Sequence, residues 1–125
     1  MEDLVRVRIV EATKNYSPMT DTLILALRLE PLETILLNGE EVESLFTSVL
    51  ADVNARSGSQ RQAQLRYVLN LKPIYTDEEE NTVSEFSEVE IQSMPGKEFL
   101  AAINTVTILG FKERVRVLKF YRLRY

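Results

Sequence analysis

The sequence predicts an α+β fold, with a mainly antiparallel sheet of about five strands and two helices on one face. Several segments alternate apolar and polar residues, which is typical of half-buried strands. Two others carry apolar residues at helical spacing, and each is followed by a glycine, Gly58 or Gly110. With 125 residues, 45% of them hydrophobic and 27% charged, the chain is predicted to form one domain over residues 1–125.

The first two predicted strands precede residue 31. Residues 4–10 alternate apolar and basic side chains, so one side of this strand should be buried. Residues 22–29 place leucines at alternate positions with further apolar residues between them, which predicts a central strand covered on both faces. Turn residues around Pro18 separate the two strands, and Pro31 ends the second.

The first predicted helix begins at Asn38. This residue is suited to cap the helix N-terminus, with Glu41 three positions later as its partner in a capping box. Gly58 is placed to end the helix in a left-handed turn. The apolar stripe has spacing i, i+3, i+4, i+7, i+8 and i+11 and consists of Val42, Leu45, Phe46, Val49, Leu50 and Val53.

Residues 64–74 and 82–92 are predicted to form a hairpin, so the second half of the chain again begins with two strands. A second helix is predicted from Ser93, and residues 113–125 form the last strand, giving the order strand, strand, helix, strand, strand, helix, strand. The inward residues of the third strand are Leu65, Tyr67, Leu69 and Leu71. The core residues of the second helix are Phe99, Leu100, Ile103, Val106 and Leu109.

The chain contains no histidine and no cysteine. This excludes serine–histidine and cysteine–histidine catalysis as well as structural zinc sites. The acidic loop over residues 77–80 lacks the alternate ligand spacing and the glycine of a calcium loop. We therefore expect no enzymatic activity, no metal and no cofactor.

The absence of cysteine also predicts a cytoplasmic location, where disulfides are rare. The acidic opening Met1-Glu2-Asp3 differs from the basic start of a secretory signal. The longest apolar runs are much shorter than the ~20 residues needed to cross a bilayer, so no membrane partner is expected.

Charge is distributed unevenly along the chain. Residues 112–125 carry a net charge of +5, whereas residues 1–111 carry −9. If the first and last strands pair, their basic side chains form one ribbon with an aromatic residue, suited to phosphate contacts and base stacking. The candidate partner-binding or nucleic-acid-binding residues are Arg6, Arg8, Arg114, Arg116, Phe120, Arg122 and Arg124.

The alternative interpretation is that these arginines are paired internally. Glu88 and Glu90 alternate with apolar residues in the fourth predicted strand and could lie opposite the arginines. A chain with a net charge of −4 also lacks the overall basic character of most nucleic-acid-binding proteins. Internal pairing is the favoured interpretation.

Two hypotheses of function follow from these observations. The first is a non-enzymatic protein-interaction or assembly module that associates with itself through a sheet edge or an open sheet face. It rests on the missing catalytic side chains and on a last strand expected to expose Leu118 and Phe120 among arginines. The second is a small nucleic-acid-binding protein that uses the basic ribbon.

Overall fold

The computed structural model describes residues 3–19, 21–51, 59–71, 75–76, 82–83, 86–108 and 112–123. Two helices are present in these ranges, α1 (Ser59–Val68) and α2 (Glu88–Gln92). The strands are β1 (Asp3–Ser17), β2 (Thr22–Pro31), β3 (Leu36–Leu37), β4 (Glu40–Glu41), β5 (Leu45–Leu50), β6 (Tyr75–Thr76), β7 (Thr82–Val83), β8 (Glu98–Ile108) and β9 (Lys112–Tyr121).

Five strands form one antiparallel sheet in the order β5-β2-β1-β8-β9. The short pairs β3-β4 and β6-β7 form two separate hairpins. This architecture confirms the predicted α+β class and the five-stranded antiparallel sheet with two helices. The residues that form each element differ from the prediction in the middle of the chain.

The sheet is curved, and its two edge strands, β5 and β9, lie beside each other without pairing. Irregularities in register between Ile9 and Glu11 and between Ala102 and Ile103 contribute to this curvature, because bulges bend and twist a strand. Alternate residues of β1, such as Val5 and Val7, point to the concave face and are buried. Both helices contribute to the same core on that face.

The segment predicted as the first helix forms a hairpin and a strand, so that prediction is wrong. Asn38 and Gly39, both with positive φ, connect β3 to β4, as expected for a two-residue hairpin turn. In β5, Leu45 and Val49 are buried as predicted, but Phe46 is 69% exposed. A spacing of four residues suits both a helix and a strand, and pairing with β2 selects the strand.

The prediction of a strand over residues 64–74 is also wrong, because residues 64–68 form the second half of α1. Leu65 and Leu69 are buried, again four residues apart, whereas Tyr67 is exposed rather than inward. Two hydrogen bonds of a Schellman motif end the helix, from Leu71 N to Arg66 O and from Asn70 N to Tyr67 O. Asn70 has the positive φ that this motif requires.

The second predicted helix is replaced by β8, in which Phe99 and Ile103 are buried and four residues apart. Residues 88–92, predicted to be in a strand, form α2 instead. A capping box explains this helix, because the Ser87 hydroxyl accepts from Glu90 N and the Glu90 carboxylate accepts from Ser87 N. Gly58, Gly110 and the acidic loop 77–80 lie outside the described residues.

Candidate interaction surface

The predicted basic ribbon is not formed, because β8 lies between β1 and β9. Arg6 of β1 is aligned with Leu100 of β8, whereas Arg116 of β9 is aligned with Asn104. Four residues along β8 correspond to about 13 Å, in addition to the width of two strand spacings. The arginines of the first and last strands therefore occupy separate parts of the sheet.

The arginines of β1 have acidic partners on neighbouring strands. Arg6 contacts Glu98 Oε1 through Nη2 at 2.8 Å and through Nε at 2.9 Å. Arg8 lies 3.6 Å from Glu98 and 3.7 Å from Glu30. Both arginines therefore form internal ion pairs, but the predicted partners, Glu88 and Glu90, are wrong.

Glu90 has a different role, since it joins the two helices. Its Oε2 lies 3.0 Å from Nη1 of Arg66, whose side chain is only 5% exposed. The guanidinium of Arg66 also lies over the Phe86 ring, 4.4 Å from its centroid. Glu88 lies in the first turn of α2 and is exposed. The sequence prediction missed this buried pair because both residues were assigned to strands.

Phe120 is not an exposed aromatic, and the prediction that it lies open among arginines is wrong. Its side chain is 1% exposed, and its ring packs edge-on against Phe99 with centroids 5.5 Å apart. The register irregularity in the β8–β9 pair places both Val117 and Phe120 in the core, although they are three residues apart. Phe120 as packed here cannot stack on a base.

The last predicted site residues lie after β9. Arg122 is exposed, with its guanidinium 5.2 Å from the centroid of the Tyr67 ring and Nη2 3.5 Å from Asn70 Oδ1. These contacts link the end of the last strand to the end of α1. Arg124 lies outside the described residues.

One end of the gap between β5 and β9 is closed by α1. Arg61 donates from Nη1 to the carbonyls of Val117 and Leu118, both at 3.2 Å. Its Nη2 donates to Thr47 Oγ1 at 2.9 Å and to Ser48 O at 3.4 Å. A single guanidinium therefore bridges the backbones of both edge strands.

Two further features complete this closed end. Gln64 Oε1 accepts from the backbone N–H of Phe120 at 2.7 Å, so the edge of β9 has side-chain partners for both donors and acceptors. The pKa of Arg61 is lowered mainly by burial and, to a smaller extent, by repulsion from Arg116. The Arg61 guanidinium therefore forms hydrogen bonds to both strands but is repelled by the like charge of Arg116.

The other end of the gap is an open groove, with a cavity volume of about 340 Å³. The hairpin β3-β4, β5 and β9 all contribute to its walls. The lining residues are Leu37, Val42, Ser44, Leu45, Phe46, Arg114 and Val115. Phe46 also borders a second cavity on the convex face of the sheet, next to Arg28. The groove is mainly apolar and has one cation in its lining.

Of the predicted site residues, Arg114 lines this groove, and Arg116 lies two residues further along β9, outside the lining. Both are exposed, and no ion pair joins either of them to another residue in the described ranges. Phe46 was missed as a surface residue because the helical interpretation placed it in the core. The Asn38-Gly39 dipeptide would have indicated the hairpin, and hence the strand that exposes Phe46.

Comparison with protein-family models and with curated protein sequences gives no match to this chain. In the described part of the chain, no helix has the length and apolar character needed to cross a membrane. The same ranges contain no group of three or more acidic residues arranged to hold a metal ion.

Proposed function

We propose that this chain is a non-enzymatic interaction module that associates with a second copy of itself through the groove between β5 and β9. The observation that carries this proposal is the apolar groove at an open sheet edge, with Phe46 69% exposed beside it. Aromatic residues and arginine are enriched where proteins bind each other. An uncovered edge strand also offers free backbone groups to another chain.

The edge is a better candidate for this contact than the convex face. On the convex face, Arg6 and Arg8 already form ion pairs with Glu98, so docking there would disturb satisfied charges. At the groove, Arg114 has no such partner among the described residues. The binding free energy of a partner should be more favourable at the groove, because no existing ion pair has to be broken there.

The non-enzymatic character of the proposal rests on the sequence. Without histidine or cysteine, the chain lacks the side chains that most often act as general base or nucleophile. The absence of cysteine also supports a cytoplasmic location for the association.

The proposal is tested by the mass of the protein in solution, measured by sedimentation equilibrium over a range of micromolar concentrations. We expect the wild type to form a species larger than the 14.4 kDa single chain. Phe46→Thr should be monomeric, because it removes the exposed ring and keeps a residue that favours strands. Leu4→Thr is the matched control, since Leu4 is 56% exposed on the convex face.

Two results would contradict the proposal. A wild type that is monomeric at every concentration would exclude self-association. An oligomer that persists in Phe46→Thr but is lost in Leu4→Thr would place the contact on the convex face of the sheet.

Nucleic-acid binding remains a prediction, and one observation still favours it, the pair of exposed arginines in β9. It is tested by retention on a nucleic-acid column at increasing salt. Phosphate contacts give a steep loss of retention with salt. Steep salt dependence that disappears when Arg114 and Arg116 are both replaced by glutamine would favour this function over self-association.

A further inference from the structure

Exposed charges of opposite sign lie on the elements that form the groove. On one side, the β3-β4 hairpin presents Glu40 and Glu41, both exposed, and Glu43 follows shortly after them. On the other side, β9 presents Arg114 and Arg116, also exposed. Within the described ranges, none of these five side chains forms an ion pair.

This distribution is self-complementary. In a two-fold dimer both copies use the same patch. If a residue i of the first copy contacts a residue j of the second, then residue j of the first copy also contacts residue i of the second. A patch with an apolar centre, an acidic side and a basic side satisfies this condition. Rotation about an axis near Phe46 brings the hairpin of each copy toward β9 of the other.

We infer that the partner in this groove is a second copy of the chain, docked about a two-fold axis so that the hairpin of each copy, where Glu40 pairs with the groove residue Leu37, faces the groove residue Arg114 of the other. This inference rests on the proposed self-association and specifies its geometry. The exposed Phe46 rings lie at the centre of the contact, where apolar residues contribute most to affinity. The charged rows form the rim and determine the register.

The charges favour a second copy over an unrelated acidic partner. An acidic segment would be attracted by Arg114 but repelled by Glu40 and Glu41 on the opposite side of the groove. A second copy provides a partner for both rows together. It also brings carboxylates near Arg116, which offsets the repulsion between that residue and Arg61.

The test uses two charge-reversed variants. One carries Arg114→Glu and Arg116→Glu, and the other carries Glu40→Lys and Glu41→Lys. Each variant alone places like charges opposite each other in a homodimer, so its dissociation constant should rise by about a hundredfold or more. When the two variants are mixed, every contact is again between opposite charges, and a heterodimer should form.

Lys119→Glu is the matched control, because Lys119 is exposed on β9 but lies five residues beyond Arg114, the arginine that lines the groove. It should leave the dimer intact. Far-UV circular dichroism and the denaturation midpoint show that each variant is folded. The mass of the mixture should be twice that of one chain, as expected for a closed two-fold pair.

The possible failures are distinguishable. A monomeric wild type overturns the proposed function and this inference together. A dimeric wild type whose variants do not recombine, or that is unaffected by either charge reversal, overturns this inference and leaves self-association standing. Assembly of the mixture beyond a dimer would exclude the two-fold geometry, since head-to-tail contacts build larger rings or open filaments.

Discussion

The gap between β5 and β9 is closed by α1 at one end and is an open groove at the other. At the closed end, Arg61 and Gln64 of α1 supply hydrogen bonds to the backbone of the edge strands. At the open end, the same two strands contribute Phe46 and Arg114 to an apolar groove. One pair of strands thus provides both a completed structural contact and an uncovered surface.

The difference shows how one part of a sheet edge can be covered while another part stays open. Unpaired edge strands invite association with any extended chain, so proteins usually cover or charge them. Here α1 covers only part of the edge, and the open end carries an exposed charge, Arg114. The predictions below separate these two roles, because substitutions at the closed end should affect stability and those at the open end should affect association.

The largest effect is expected for Arg61→Ala, which should lower the free energy of unfolding by about 2–4 kcal/mol. It removes hydrogen bonds to carbonyls of both edge strands and the contact with the Phe120 ring, 5.2 Å away. Arg61→Lys should recover only part of the loss, because an ammonium cannot bridge both strands as the guanidinium does. Urea denaturation measures both values. Equal stability of Arg61→Ala and the wild type would show that α1 does not hold the strands together.

A smaller loss, about 1–2 kcal/mol, is expected for Gln64→Leu. The substitution keeps a helix-forming residue of similar size but leaves the N–H of Phe120 without its acceptor. Hydrogen exchange followed by NMR provides a local measurement. The Phe120 amide should exchange faster in the variant, and an unchanged rate would mean that Gln64 does not protect this edge.

Arg116→Gln should have a small effect of opposite sign, a gain of about 0.2–0.5 kcal/mol in the free energy of unfolding. The reason is the repulsion between Arg116 and Arg61, which contributes to the lowered pKa of Arg61. The gain should disappear in 1 M salt, where charges are screened over about 3 Å. Loss of stability in the variant at low salt would instead indicate a stabilising contact of Arg116.

The smallest effect on stability is expected for Phe46→Thr, below about 0.5 kcal/mol, since exposed positions tolerate substitution. The same variant should nevertheless lose self-association. If its stability at concentrations where the wild type is monomeric fell by as much as that of Arg61→Ala, Phe46 would belong to the core and the distinction between the two ends would fail.

The fold class could be predicted from sequence, but four elements could not, and three of these failures have one physical reason. The buried pairs Leu45 and Val49, Leu65 and Leu69, and Phe99 and Ile103 are each four residues apart. That spacing places both residues on one face of either a helix or a strand. The choice between them depended on pairing with distant strands, which the local pattern does not contain.

Local turn and cap chemistry did contain part of the missing information. The Asn38-Gly39 turn and the Ser87–Glu90 capping box both agree with established sequence signals. Of the candidate site residues, Arg114 lines the groove, while Arg6 and Arg8 are paired and Phe120 is buried. Their separation by β8 follows from strand order, which alternation along a single strand cannot reveal.

The central position of β1 has a consequence for biosynthesis. Arg8 of β1 is aligned with Glu98 of β8, so about 90 further residues must be synthesised before the second neighbouring strand of β1 exists. At ordinary rates of translation this takes about 5–20 s, during which β1 can pair only with β2 and is itself an edge. Arg6 and Arg8 then have no acidic partner from β8, and their charges oppose aggregation of the nascent chain. Replacing both with glutamine should lower the yield of soluble protein from cell-free translation, and an unchanged yield would show that they serve the finished sheet alone.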